Sequence, residues 1–134
     1  MSIGRGAFAH CRNLTSVNIM NYDEGYITII EPGTFAYCTS LTLITIPDGI
    51  TAIEYSAFEG CSGLVSVSLP KSIKTIATGA FSNCINLTTV TIEEGVEIRF
   101  EVGDILNRYS QFRGCKLDIK SQLALKRAGF PGNF

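Results

Sequence analysis

The chain contains no tryptophan, one histidine (His10) and no apolar run approaching the length of a membrane-crossing helix, which takes about 20 residues. A single imidazole excludes a histidine-rich metal site. With 11 Lys+Arg against 12 Asp+Glu and a formal charge of -1, there is no broad basic surface, so nucleic acid is not an expected partner. Met1 to Gly6 carries no hydrophobic signal segment. The cysteines, at positions 11, 38, 61, 84 and 115, never come within two or three residues of one another, which excludes local zinc or redox pairs. Gly4 and Gly6 do not extend into a G-x-G-x-x-G phosphate loop. The acidic pairs Asp23-Glu24 and Glu93-Glu94 sit in turns and do not recur at a spacing that converges on one substrate. No catalytic residue, metal ligand or cofactor is expected.

What is present is a periodicity. Every cysteine follows a phenylalanine by three residues: Phe8 and Cys11, Phe35 and Cys38, Phe58 and Cys61, Phe81 and Cys84, Phe112 and Cys115. Aligned on that pair, apolar residues recur at Leu14, Val17 and Ile19, at Leu41, Ile44 and Ile46, at Leu64, Val67 and Leu69, and at Leu87, Val90 and Ile92. An Ile stands five residues ahead of each of the first four phenylalanines, at 3, 30, 53 and 76. The Phe-to-Phe distances are 27, 23, 23 and 31, so the basal period is 23, inside the range of leucine-rich repeats, about 20 to 29 residues. With 134 residues, 46% apolar and 17% charged, the chain can bury one core.

The pattern L-x-x-[VI]-x-[IL] ends in a period-two alternation, which predicts a short strand with one buried face. Pro47-Asp48-Gly49, Pro70-Lys71-Ser72 and Glu93-Glu94-Gly95 then reverse the chain. The next [IV]-x-x-I returns along the opposite wall, and the F-x-x-C stretch is long enough for one helical turn only. No coil can enclose its own Ile, Phe and Leu side chains, so burial requires stacking. The expected fold is a leucine-rich-repeat solenoid, with short parallel strands on one wall and turns or single helical turns on the other. The repeated cysteine reads as a small core-facing residue, the phenylalanines as a core ladder, and His10 as an exposed turn residue.

Gly6-Ala7-Phe8-Ala9-His10-Cys11, Ser56-Ala57-Phe58-Glu59-Gly60-Cys61 and Gly79-Ala80-Phe81-Ser82-Asn83-Cys84 resemble the Treponema-type, or BspA-like, leucine-rich repeat over roughly residues 3 to 97. The resemblance implies a solenoid of bacterial or protist cell surfaces, secreted or surface-located, acting in adhesion or in binding host extracellular or surface proteins. It brings no catalytic residue with it.

The pattern divides the chain into an array, residues 1–97, of four coils with the first truncated, and an atypical last coil with a small helical C-terminal cap, residues 98–134. Ile98 to Val102 alternates as a strand, Asp104 to Tyr109 reads as helical, and Ser121 is the expected N-cap of a helix over Gln122 to Ala128 that Gly129 ends. The array carries 4 basic and 9 acidic side chains, the cap 7 and 3. Two surfaces are candidates for a protein partner. One is the strand face, flat and rich in hydroxyls: Ser16, Asn18, Leu43, Thr45, Ser66, Ser68, Thr89 and Thr91. The other is the insertion after Ile19, where Tyr22 and Tyr26 flank Asp23 and Glu24, since tyrosines carry much of the energy of many interfaces. An uncovered first coil, with Val17 and Ile19 on its outer side, is expected to associate with itself as a homodimer or by exchange of that coil, and the alternative to a binding module is a structural unit that assembles with itself or with the rest of a longer array.

Overall fold

The computed structural model describes residues 3–20, 27–101 and 111–134. Among these residues seven short strands form two parallel sheets. Strands β1 (Ile29–Ile30), β3 (Ala52–Ile53), β5 (Thr75–Ile76) and β7 (Arg99–Phe100) make one wall, in that order. Strands β2 (Leu43–Thr45), β4 (Ser66–Ser68) and β6 (Thr89–Thr91) make the other. Register follows the repeat: Ile44 opposes Val67, which opposes Val90, and Ile30 opposes Ile53, which opposes Ile76. These apolar residues all face inward and are buried, and two- or three-residue strands are stable only because the same side chains stack in every coil.

The third side of the coil is the F-x-x-C arch. Its backbone amides split into two sets. Ala7, Ala9 and Cys11 close turns on the carbonyls of Gly4, Gly6 and Phe8, so the single turns expected there are consecutive three-residue turns. The alternate amides leave the coil: those of Gly6, Phe8 and His10 reach Pro32, Thr34 and Ala36, and those of Gly33, Phe35 and Tyr37 reach Tyr55, Ala57 and Glu59. Left-handed backbone sends successive amides outward. The residue two after each phenylalanine has positive φ, at His10 (60°), Tyr37 (59°), Gly60 (68°), Asn83 (59°) and Gly114 (82°). At Gly60 a side chain is excluded twice over, since a Cβ would also run into the ring of Tyr37.

Inside the arch the phenylalanines stack face to face. Ring centroids of Phe8, Phe35, Phe58, Phe81 and Phe112 follow one another at 5.5, 5.3, 5.2 and 5.5 Å. All five cysteines are free thiols, and four of them donate to the phenylalanine carbonyl one coil earlier: Cys38 to Phe8, Cys61 to Phe35, Cys84 to Phe58 and Cys115 to Phe81, at 3.1 to 3.2 Å. The cysteine is therefore an inter-coil donor as well as a packing residue.

Helix α1 (Ile119–Arg127) closes one end. Its N-cap is Asp118, whose carboxylate accepts the Ser121 amide at 2.7 Å, and that bond holds the carboxyl below its ordinary value. The expected cap, Ser121, has a different partner: buried on the inner face of the helix, its hydroxyl accepts the Val90 amide at 2.9 Å. The last sheet edge needs a partner for that amide, and this demand places Ser121 inside the helix. The Lys116 and Asp118 amides continue the ladder on Leu87 and Thr88. Gly129, at φ 111°, ends the helix as expected. Phe130 then sets its ring edge-on to Phe112 at 5.8 Å, in the place of a further stacked ring. The expected helix at Asp104 to Tyr109 lies outside the described residues.

Candidate functional site

The outer face of the β2–β4–β6 sheet is built by the same alternation that builds the core. With Ile44, Val67 and Val90 turned in, their neighbours must turn out, and the parallel register sets them in two rows. Leu43, Ser66 and Thr89 form one row, and Thr45, Ser68 and Thr91 the other. Leu43, Thr45 and Thr91 are exposed, and Ser66, Ser68 and Thr89 half-buried. Rows of this kind repeat at the strand spacing, about 4.8 Å. No charged side chain interrupts them, and the Lys71–Glu93 ion pair, at 3.2 Å, lies in the turns beyond. The face can hydrogen-bond an extended polypeptide or other polar ligand and offers little to anchor it, apart from Leu43.

Leu43 is 61% exposed, and beyond β6 the first residue of α1, Ile119, is 75% exposed, followed one turn later by Leu123. Neither helical side chain falls on the repeat pattern that marks the strand face. A signal was present, because Ile119 and Leu123 are spaced four apart on a helix whose buried positions are Ser121 and Leu125.

The sequence placed Ser16 and Asn18 on the same face. Both are exposed, yet residues 14–20 make no strand and β2 is the terminal strand of its sheet. The segment lies beyond that terminal strand, with Leu14 and Val17 half-buried against the core. Asn18 thus stands at the open end of the stack, apart from the rows. Ile19, expected outside, is buried, and among the described residues the large exposed apolar groups of this end are Phe8 and Met20. Tyr22, Asp23, Glu24 and Tyr26 lie outside the described residues.

A second surface, unforeseen in the sequence, runs across the arch. Tyr55, Glu59, Ser82, Asn83, Glu101 and Arg113 are among the residues lining an open groove of about 640 Å³, and the Arg5 guanidinium sits 5.5 Å from the Tyr55 ring centre. Apart from Glu101 these side chains occupy variable positions near each phenylalanine, where the repeat imposes no residue type. Nearby, burial pushes the Glu54 carboxyl up, and the carboxylates of Glu101 and Glu31 add to it. His10 is exposed, as expected, and stacks on Tyr37 at 5.0 Å.

Among the described residues the cysteine thiols are set apart from the one histidine, His10, by burial or by their inward direction. The thiols of Cys38, Cys61 and Cys84 are buried. Burial, with Cys61 beside it, pushes Cys38 up to about 11. Burial pushes Cys115 up to about 12, and a hydrogen bond with Cys61 together with burial pushes Cys84 up. Cys38, Cys84 and Cys115, held protonated in this way, are poor nucleophiles, whereas the hydrogen bond with Cys84 pulls the buried Cys61 thiol down. Among the described residues no group of three or more His, Cys, Asp and Glu side chains is placed to hold a metal ion, and no helix is long and apolar enough to cross a membrane.

A family model, the BspA type leucine rich repeat region, matches residues 1–103 in 6 copies. Among solved structures, the leucine-rich repeat protein of Treponema pallidum superposes with a TM-score of 0.79 at 28% identity, over 97% of this chain and 56% of that one. A leucine rich cell surface protein from Faecalibacterium prausnitzii superposes with a TM-score of 0.60 at 34% identity, over 80% of this chain and 25% of its own. A leucine-rich repeat protein from Bacteroides ovatus gives 0.56 at 27% identity, over 74% and 30%. The chain thus spans about half of the first relative and less of the others. No curated protein matches.

Proposed function

This chain belongs to the BspA type leucine rich repeat family, and on that premise we propose that it is a non-enzymatic protein-binding module of a bacterial surface protein, acting in adhesion. The observation that carries this reading is the outer sheet face. Two rows of side chains, Leu43–Ser66–Thr89 and Thr45–Ser68–Thr91, run uncharged across three strands in fixed register. A rigid scaffold that presents aligned hydroxyl groups is suited to a protein surface or extended segment, where many modest contacts add up. The description of the F. prausnitzii relative as a cell surface protein supports a surface location, with a host extracellular or surface protein as partner. In this reading Leu43, Thr45, Ser68 and Thr91 contact the partner, Asn18 lies at the margin, and Tyr22, Asp23, Glu24 and Tyr26 supply a second contact from the insertion.

The experiment is binding of the immobilised chain to a panel of purified extracellular-matrix and epithelial surface proteins. A partner whose binding is lost on Leu43→Arg with Thr91→Glu, but kept on Lys74→Glu, supports the sheet face. The Tyr22→Ala, Tyr26→Ala double variant reports on the insertion in the same assay. Binding unaffected by all of these substitutions would overturn the assignment.

A further inference from the structure

The groove across the arch is cut by a single coil. At the positions three and two before the phenylalanine and one after it, the Phe81 coil carries Thr78, Gly79 and Ser82, where the coil ahead of it carries Tyr55, Ser56 and Glu59. All of these line the groove, and the last coil adds Glu101 and Arg113 on the far side. Small residues between larger ones leave a slot one coil wide, of about 640 Å³, inside the range of small-ligand sites, about 300 to 1,000 Å³. On one wall the Tyr55 ring has the Arg5 guanidinium 5.5 Å from its centre, a contact that steadies it, and the side chain is still 45% exposed. Among the described residues the amides of Tyr55 and Thr78 donate to no protein acceptor. One coil earlier the same position is Pro32, which has no N–H to offer.

We infer that this slot binds a neutral saccharide chain, with a sugar ring laid against Tyr55 and its hydroxyls on the polar groups of the two walls. The mixture of those groups decides the ligand class. Glu59 and Glu101 only accept hydrogen bonds, the Arg113 guanidinium and the two backbone amides only donate, and Ser82, Thr78 and the Asn83 side chain do both. A sugar hydroxyl also donates and accepts, so a polyhydroxylated chain can answer the whole set. A basic peptide would use the carboxylates and leave the donors unanswered, and a sulfated or phosphorylated ligand would meet Glu59 and Glu101 as repulsive neighbours. The Tyr55 ring adds an apolar face beside a polar site. Because the slot lies on the arch, its ligand is separate from any partner held by the outer face of the β2–β4–β6 sheet.

The test is calorimetric titration of the full chain with cellohexaose, xylohexaose, mannohexaose and chitohexaose, beside a heparin hexasaccharide and hexalysine as charged probes. At least one neutral oligosaccharide is expected to bind, with one site per chain. Tyr55→Ala, which removes the ring, and Thr78→Trp, which fills the floor, should each weaken it by about tenfold or more, the worth of one good contact. Tyr55→Phe keeps the ring and should bind as the native chain does. Leu43→Arg with Thr91→Glu should also leave binding unchanged, which separates this site from the sheet face whatever that face binds. Tyr55 is exposed, so its variants stay informative even where Thr78→Trp fails to fold. Failure of all four neutral oligosaccharides to bind at millimolar concentration would overturn the inference, and so would binding that survives Tyr55→Ala or is lost with the sheet-face variant. Tighter binding of the heparin hexasaccharide or of hexalysine, lost on Tyr55→Ala, would overturn it in favour of a charged ligand.

Discussion

The thiol of Cys61 donates to the carbonyl of Phe35, 3.1 Å away and one coil earlier. The Phe35 amide meanwhile donates forward to Ala57. Adjacent coils are thus tied in both directions at the arch, by amides running one way and thiols the other. The bonds are individually weak, but they repeat at Cys38, Cys84 and Cys115 and fix the register in which the phenylalanine rings can stack.

Replacing Phe58 or Phe81 by Ala removes a fully buried ring with aromatic neighbours on both faces. The expected loss is about 3 to 5 kcal/mol, measured by urea unfolding. Phe8→Ala, at the exposed end of the same stack, should cost clearly less. Equal losses at Phe8 and Phe58 would contradict the stacked core.

The thiols should divide by position. At mildly alkaline pH a thiol reagent is expected to modify Cys11 first, while Cys38, Cys61 and Cys84 react only on unfolding. Cys115 is half-buried, yet burial holds it up to about 12, so its reaction should also be slow. Site-resolved mass spectrometry checks the order, and early modification of Cys61 or Cys84 contradicts it.

Ser121→Ala tests the sheet-edge role of that hydroxyl. Without it the buried Val90 amide loses its acceptor, a cost of about 1 to 3 kcal/mol. Amide exchange should accelerate at Val90 itself while the Ser121 amide stays bound to Asp118. Were Ser121 a simple N-cap, exchange would instead rise across the first turn of α1.

Glu54 gives a pH dependence of definite sign. Its folded pKa is raised above the ordinary carboxylate value by burial and by Glu101 and Glu31, so folding favours the protonated form. Stability from this group is fully present below the unfolded pKa and declines as pH rises through the folded one. Glu54→Gln should therefore stabilise the protein at neutral pH, and the gain should vanish in acid and shrink in high salt. A gain that persists unchanged at low pH would point to packing instead of charge.

The repeat itself was legible because burial in a solenoid is periodic. A residue that faces the core in one coil faces it in all, so Phe35, Phe58 and Phe81, with Ile44, Val67 and Val90, declare themselves by spacing alone. The partner of each thiol did not, because Cys61 and Phe35 are 26 residues apart and no local pattern links a side chain to a backbone carbonyl at that distance. The left-handed residues were hidden for a related reason. Tyr37 does not advertise positive φ as glycine or asparagine does, and stacking between coils imposes it there.

The ends show where sequence stops. Ser121 and Asp118 are both good N-cap residues, and the sequence favoured Ser121; only the docking of α1 on β6, with an unpaired Val90 amide waiting, assigns the cap to Asp118. Asn18 carries the alternation of a strand residue but no ladder. By itself the sequence determined the coil, its inward side chains and the parallel stacking, since each follows from a pattern repeated between like neighbours. What the tertiary structure decided is how the stack terminates, because a terminal coil has a neighbour on one side only and must satisfy its backbone from whatever the rest of the fold brings there.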